Sequence, residues 1–286
     1  KKSEKRAPVS VYKAQYWQDE ALDKLFFRGL KNGVFVEVGA GDGTFGSNSL
    51  FFEETHSWSG LCVEPLSAHV AEIQRTRKCR AVHAAVCGVT AGSQRFLHVE
   101  GVQGRSGLAA TLPEKYTKEI ASFSKARGAR ATEERIPCIN LNELLSREGI
   151  HHVDLLAIDV EGAEMDILSH LRLGQGAAGL EVSAFLVEVA PGQHASKVRS
   201  WMRERGYSDP WRIDAQHPDD IFLRRDLLPP DLAAYRQGVA VACSERCRCP
   251  APCPGETWAA GAVACSETLW ADPPTVDPRP GSASTS

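Results

Sequence analysis

Five short, β-branched apolar runs recur through the first two-thirds of this chain, separated by longer amphipathic segments. That alternation constrains the fold more than any other feature. Strands joined by crossover helices can pair in parallel, and a parallel sheet is covered on both faces. The runs are Val34 to Gly39, Gly60 to Glu64, Ala81 to Val86, Asp154 to Val160 and Phe185 to Ala190. The first, fourth and fifth are nearly continuous in apolar character, as doubly covered strands are. Helices are predicted over Gln18 to Leu30, Ser47 to Glu54, Leu66 to Lys78, Leu141 to Glu148, Glu164 to Leu171 and His194 to Arg205. Tyr207 to Ile213 and Ile221 to Arg224 predict a closing antiparallel pair at the sheet edge. Phe96 to Val99 and Arg135 to Ile139 predict extra strands in a small insertion within residues 95–138.

With 286 residues, 43 % of them hydrophobic, there is material for a sizeable core. The net charge of −3 and the scattered basic residues lack the concentrated positive surface that nucleic-acid binding requires. No stretch is long and apolar enough for a membrane span. The chain is expected to be cytoplasmic unless a signal or anchor precedes Lys1. None of Asn32, Asn48, Asn140 and Asn142 begins an Asn-x-Ser/Thr acceptor, which disfavours a glycoprotein route. The sequence fixes no oligomeric state.

Three regions follow: a basic, solvated arm (1–14), a globular domain (15–232) and a proline- and cysteine-rich tail (233–286). The tail carries AVACSE twice, at Ala240 to Glu245 and Ala262 to Glu267, and reads as disordered. Its Cys243, Cys247, Cys249 and Cys253 crowd together without the spacing of a standard zinc site. Cys62, Cys79, Cys87 and Cys138 read as ordinary buried thiols of the globular part.

The chemistry concentrates in "VFVEVGAGDG", Val34 to Gly43. In an open α/β sheet the loop after the first strand lies at the ligand crevice, and glycines let its backbone turn sharply and approach a ligand closely. A dinucleotide fingerprint needs its third glycine where Thr44 stands. The alternative places an acid two residues before Gly39, where Glu37 can receive an ammonium group. Glu37 and Asp42 would repel a pyrophosphate and favour the cationic S-adenosylmethionine over NAD. Glu64, 21 residues after Gly43, closes the second strand and can accept hydrogen bonds from ribose hydroxyls in either class.

At the fourth strand, "LLAIDVEGAEMDIL" (Leu155 to Leu168) presents Asp159 and Glu161 at the rim, with Glu188 from "FLVEVAPG" facing the same cavity. Methyl transfer to an alcohol is an in-line displacement in which the protein aligns the partners and a base takes the hydroxyl proton. Asp159 is placed at the cofactor's ammonium or methyl end, or as an aid to the base. Glu161 either faces the reaction or caps the following helix. His194 is either a general base or a solvated loop histidine. His151-His152 and His217-Asp219-Asp220 lack a partner pair for a metal. The three rim acids would suit magnesium better than zinc.

The chain resembles the FkbM-type S-adenosylmethionine-dependent methyltransferases. The likeness lies in "YWQDEALDKLF", "GVFVEVGAGDGTFGSNSLFFE", "WSGLCVEP", "LLAIDVEGAEMDIL" and "FLVEV", over roughly Gln15 to Arg224. The resemblance implies a Rossmann-like class I methyltransferase fold, with a mostly parallel seven-stranded sheet and helices on both faces. It also implies O-methylation of hydroxyls on sugars, polyketides or related metabolites. By position, Glu37, Gly39, Ala40, Gly41, Asp42 and Gly43 should hold the cofactor's amino acid part, Asn48 should order that loop, Glu64 should bind the ribose, and Asp159 and Glu161 should face the reaction. An NAD-dependent oxidoreductase and a catalytically silent binding or trafficking domain are the competing readings.

Overall fold

The computed structural model describes residues 11–88, 90, 92–100, 106–112, 130–174, 179–189, 192–212 and 219–228. Most of the N-terminal arm, the whole 233–286 tail with its cysteines, and His217 lie outside the described residues.

The main sheet has six strands in the order β10-β9-β8-β1-β2-β3. These are β1 (Val34–Val38), β2 (Ser59–Glu64), β3 (Arg80–His83), β8 (His152–Ile158), β9 (Glu181–Glu188) and β10 (Asp219–Leu223). All neighbours pair in parallel except β10, which runs antiparallel to β9 at one edge. The sheet therefore has six strands where seven were expected. Tyr207 and Trp211 meet Arg224 and Ile221 only at isolated antiparallel bridges, too few to form a further strand among the described residues.

Beside it lies a four-stranded, mostly antiparallel sheet ordered β4-β7-β5-β6. It consists of β4 (Ala85–Cys87), β5 (Ser93–Glu100), β6 (Gly107–Leu108) and β7 (Arg130–Asn140). The expected insertion is thus a sheet in its own right. The run read as one strand over Ala81 to Val86 is two: the chain leaves the main sheet at Ala84 and enters the second as β4, parallel to β7. A second departure concerns the cysteines. Cys87 and Cys138 are joined as a disulfide between β4 and β7, with Cα atoms 5.9 Å apart, and are not free buried thiols.

The helices are α1 (Gln18–Ala21), α2 (Leu50–His56), α3 (Ser67–Thr76), α4 (Leu141–Arg147), α5 (Glu164–His170) and α6 (Gln193–Glu204). The helix expected over Gln18 to Leu30 is one α turn that widens into a π-helical stretch, Leu22–Phe27. Arg28 and Gly29, both left-handed, end it. Asn140 caps α4, its side chain accepting from Asn142 N–H, which places that helix start where the sequence did.

Successive strand residues alternate between two cores. Val36, Val38, Leu156, Ile158, Phe185 and Val187 pack on one side with Leu144, Val198 and Met202. Phe35, Leu155, Ala157 and Leu186 pack on the other with Phe27, Phe51, Phe52 and Trp58. Glu37 shares the face of Phe35, which makes it a buried acid. The aromatic cluster locks the second core: Trp58 stands 4.6 Å from Phe52 and 4.8 Å from Phe27, and its indole N–H donates to the Leu30 carbonyl at 2.8 Å. Each such ring contributes roughly 1.5–3 kcal/mol through burial. The carboxyl ends of β1, β2, β8 and β9 are left to open on one rim, where an α/β sheet binds its ligands.

Candidate functional site

The glycine loop leaves β1 with Gly39, Gly41 and Gly43 all at positive φ (82°, 56° and 78°). Gly39 lies against the strand-end backbone of Asp159, so that a β-carbon there would overlap the Asp159 carbonyl oxygen. Gly41 has open space where a β-carbon would stand, and it lines the cavity. One glycine thus closes the loop onto β8 while the other exposes bare backbone to a ligand.

Four acids and an arginine hold this loop. Glu37 accepts hydrogen bonds from the Ser47 hydroxyl (2.8 Å), the Asn48 N–H (2.8 Å) and the Ser49 hydroxyl (2.5 Å). Ser47 to Ser49 are occupied in this way, and α2 starts at Leu50, three residues later than the sequence predicted. Behind them the buried Arg77 guanidinium pairs with Glu53 (3.1 Å) and lies 3.8 Å from Glu37. It also donates to the Gly43 carbonyl (2.6 Å) and to the Ser47 and Ser49 hydroxyls. Asp42 caps its own turn, accepting from Thr44 N–H, Thr44 hydroxyl and Phe45 N–H. Burial opposes its ionisation, but those donors hold its carboxyl below the usual range. Glu64 accepts from Gly41 N–H and Leu66 N–H, both at 2.9 Å, tying the glycine loop to the end of β2. His69 stands 3.5 Å from Glu64, which raises its imidazole above the ordinary value against the opposing effect of burial. The expected role of Glu37 as an ammonium receptor therefore acquires a structural companion: its carboxylate already accepts three hydrogen bonds that shape the loop.

The cavity these elements bound has a volume of about 680 Å³. Its lining includes every cofactor residue expected from the sequence: Glu37, Gly39, Ala40, Gly41, Asp42, Asn48, Glu64 and Asp159, with the exception of Gly43, which lies behind the loop against Ile73 and Arg77. Asn48 Oδ1 is a buried acceptor without a hydrogen-bond partner on that wall.

The floor is acidic. Asp159, Glu161 and Glu188 bring carboxylate oxygens within 4.8 Å of one another. Asp159 follows β8, its N–H donating to Val38 O, and its side chain is exposed to the cavity. Glu161 holds a left-handed backbone at φ 56°. Asp219, opposite Glu188 in the β9–β10 register, lies on the same wall and accepts from the Gln18 amide. Burial, then the charge and hydrogen bond of Glu188, push the Asp159 carboxyl well up. Burial and the neighbouring acids push Glu188 up to about 7, although the hydrogen bond from Asp159 opposes this. Carboxyls this close cannot both ionise freely, so the two titrate together as a pair. These oxygens are of the kind magnesium takes.

The N-cap of α5 is Ala163 rather than Glu161, with no side-chain cap, and Glu164 accepts from Gly162 N–H at 2.9 Å just ahead of the helix. Glu164 also binds His194 Nε2 at 3.0 Å. His194, in the first turn of α6, faces Glu164 and is not among the residues lining the cavity, so its expected place as a base is not where the structure puts it.

The second sheet supplies the wall that sequence reasoning missed. Phe96, His98 and Val99 of β5 and Leu108 of β6 face the cavity with Ser106. His98 Nδ1 lies 3.5 Å from Glu134 on β7. From the N-terminal side come Gln15 and Tyr16, and from α3 His69. The signals were present in "YWQDEALDKLF" and in the insertion's strand pattern, but neither pattern says which way a strand faces.

The family model described as the methyltransferase FkbM domain matches residues 37–208. No curated protein matches the chain. Among solved structures, the chain is similar to precorrin-6y C5,15-methyltransferase from Geobacter metallireducens GS-15, at 11 % identity and a TM-score of 0.38, over 77 % of this chain and 93 % of that one. The matched span runs from the acid of β1 through the glycine loop, the acidic floor and α6, and the chain belongs to the FkbM methyltransferase family.

Proposed function

We propose that the chain methylates a hydroxyl of an uncharged sugar or related small metabolite, using S-adenosylmethionine. One observation carries the reading: the cavity is lined by Glu37, Asp42, Glu64, Asp159, Glu161, Glu188 and Asp219, with no lysine or arginine among the described lining residues. Such a lining suits a cation and opposes the pyrophosphate of NAD. When bound, the sulfonium supplies an electrophilic methyl group.

The chain's own residues divide the remaining work. Asn48 Oδ1 offers its vacant acceptor to an ammonium group. Glu64, already fixed by two backbone N–H groups, presents its remaining lone pairs to ribose hydroxyls. Pro65, Leu66, Ala84 and Ala85 contribute apolar lining suited to a purine. The floor pair then serves the acceptor: as the acceptor oxygen gains the methyl carbon, its proton passes to the Glu188 carboxylate. Phe96, Val99 and Leu108 exclude water from that side. His98, steadied by Glu134, presents an imidazole to the same wall.

Calorimetry with S-adenosylmethionine, S-adenosylhomocysteine and NAD tests the cofactor, and mass spectrometry of methyl glycosides and small polyols after incubation with methyl-labelled cofactor tests the transfer. Saturable binding of both sulfur compounds and a labelled methyl ether are expected. NAD binding with no response to either sulfur compound overturns the reading, and cofactor binding with no label transferred to any acceptor favours the silent-domain alternative.

A further inference from the structure

Two sulfurs lie outside the chemistry described so far. Cys62, within β2, and Cys79, the residue before β3, are diagonal neighbours across a parallel register that pairs Leu61 with Arg80 and Cys62 with Ala81. Both are buried in the aromatic core with Phe35, Phe52 and Ile73. Their Sγ atoms stand 2.8 Å apart. Thiols are weak hydrogen-bond donors and acceptors, so an S–H between two sulfurs is a poor reason for so close an approach. A covalent bond would need the sulfurs to close to about 2.0 Å. The Cys79 contact and burial both push the Cys62 thiol up, so neither a free thiolate nor a metal ligand is favoured there. The domain already carries one bridge of the same kind, between Cys87 and Cys138.

We propose that Cys62 and Cys79 form a second disulfide, which ties β2 to the edge strand β3 behind the glycine loop. The oxidant is a disulfide donor, either glutathione disulfide or a dithiol oxidoreductase in its oxidised form. Cys79, 9 % exposed at the start of an edge strand, is the entry point, whereas Cys62 is fully buried. The Cys79 thiolate attacks the donor disulfide and expels one donor thiol, leaving a mixed disulfide. Cys62 then gives up its proton as its sulfur attacks the Cys79 sulfur, and the second donor thiol leaves. Two protein thiols are oxidised, one donor disulfide is reduced to two thiols, and the protons of the protein thiols end on the donor.

The bond closes residues 62–79 around α3 and fixes the segment that carries Arg77. Lys78 N–H and Cys79 N–H both donate to Glu53, the partner of Arg77, and Arg77 holds the Gly43 carbonyl. A domain with two buried bridges matures where thiols oxidise, which departs from the cytoplasmic location expected from the sequence.

The test is a peptide map of the full chain, equilibrated with a mixture of reduced and oxidised glutathione, blocked with N-ethylmaleimide at low pH and digested without reduction. Trypsin leaves Cys79 on the dipeptide Cys79-Arg80 and Cys62 on residues 32–75. The expected product is that pair joined, two hydrogens lighter than the separate peptides, and separating on reduction. Maleimide on both cysteines of the denatured, unreduced protein overturns the proposal, as does either cysteine linked to any other partner.

Discussion

Glu64 illustrates how one side chain serves two purposes. Its oxygens accept from Gly41 and Leu66 N–H groups, so Glu64→Ala releases the glycine loop and, on the proposed function, also removes ribose contacts. Glu64→Gln keeps one carbonyl acceptor in place. The alanine variant should lose at least tenfold in S-adenosylhomocysteine affinity by calorimetry, with glutamine between it and the parent, since each lost hydrogen bond to a charged group is worth roughly 1.5–3 kcal/mol. Equal affinity in all three folded proteins would remove Glu64 from the site. Glu188 gives a second residue-scale prediction, through charge. At about 7 its carboxyl is partly protonated near neutrality, and a bound sulfonium favours the ionised form. Affinity for S-adenosylmethionine should therefore rise about tenfold from pH 6 to pH 8, the proton being given up more readily at the higher pH. S-adenosylhomocysteine, without the sulfonium, should change less. Glu188→Gln should flatten the difference; a parent protein with the same slope for both compounds would contradict the assignment.

Elements were legible where one physical rule governs them. The hydrophobic runs placed β1, β2, β8 and β9 within a few residues, because a doubly covered strand announces itself by continuous apolar character. The same rule could not split Ala81 to Val86, since Ala81 and Val82 of β3 and Ala85 and Val86 of β4 read as one apolar run although two different sheets receive them. Nor could it reveal Arg77, which reads as an ordinary basic residue at the end of α3 yet is buried among Glu53, Glu37 and the serine hydroxyls. Long-range ion pairs carry no local periodicity. That network also joins the elements mechanically, tying α2 and the end of α3 to the glycine loop. Arg77→Met keeps much of the volume but leaves Glu53 and Glu37 without their cation. The cost should be about 3–5 kcal/mol, the range for breaking a buried pair from one side. Chemical denaturation of the parent and variant measures it, and a loss below about 1 kcal/mol would show that the network is solvated and mechanically idle.

Over the whole molecule, the acidic cavity sets stability against binding. Asp159 and Glu188 are carboxyls whose folded values exceed their unfolded ones, and Asp19, raised to about 6 chiefly by burial, is a third. Each stabilises the fold while protonated, and that contribution is lost as pH rises through the folded value. For Glu188 the shift from 4.5 to about 7 corresponds to a contribution on the order of 3 kcal/mol, complete below pH 4 and gone above pH 8. Asp42, held below its usual value, acts in the opposite sense only in acid, where its hydrogen bonds are lost on protonation. Between pH 5 and pH 8 the raised carboxyls dominate, and the ligand-free protein should melt at progressively lower temperature across that interval. A cationic ligand reverses the balance, because the ionised floor that destabilises the empty cavity is the form it binds. At equal saturation S-adenosylmethionine should therefore raise the melting temperature more at pH 8 than at pH 6. Thermal scans of the parent and Glu188→Gln at both pH values separate the contributions: the variant should lose the Glu188 share of the pH dependence of the ligand-free protein and keep that of Asp19. A melting temperature that climbs from pH 5 to pH 8 in the parent would mean that the floor carboxyls are ionised at no cost, and the coupled titration of the pair would have to be abandoned.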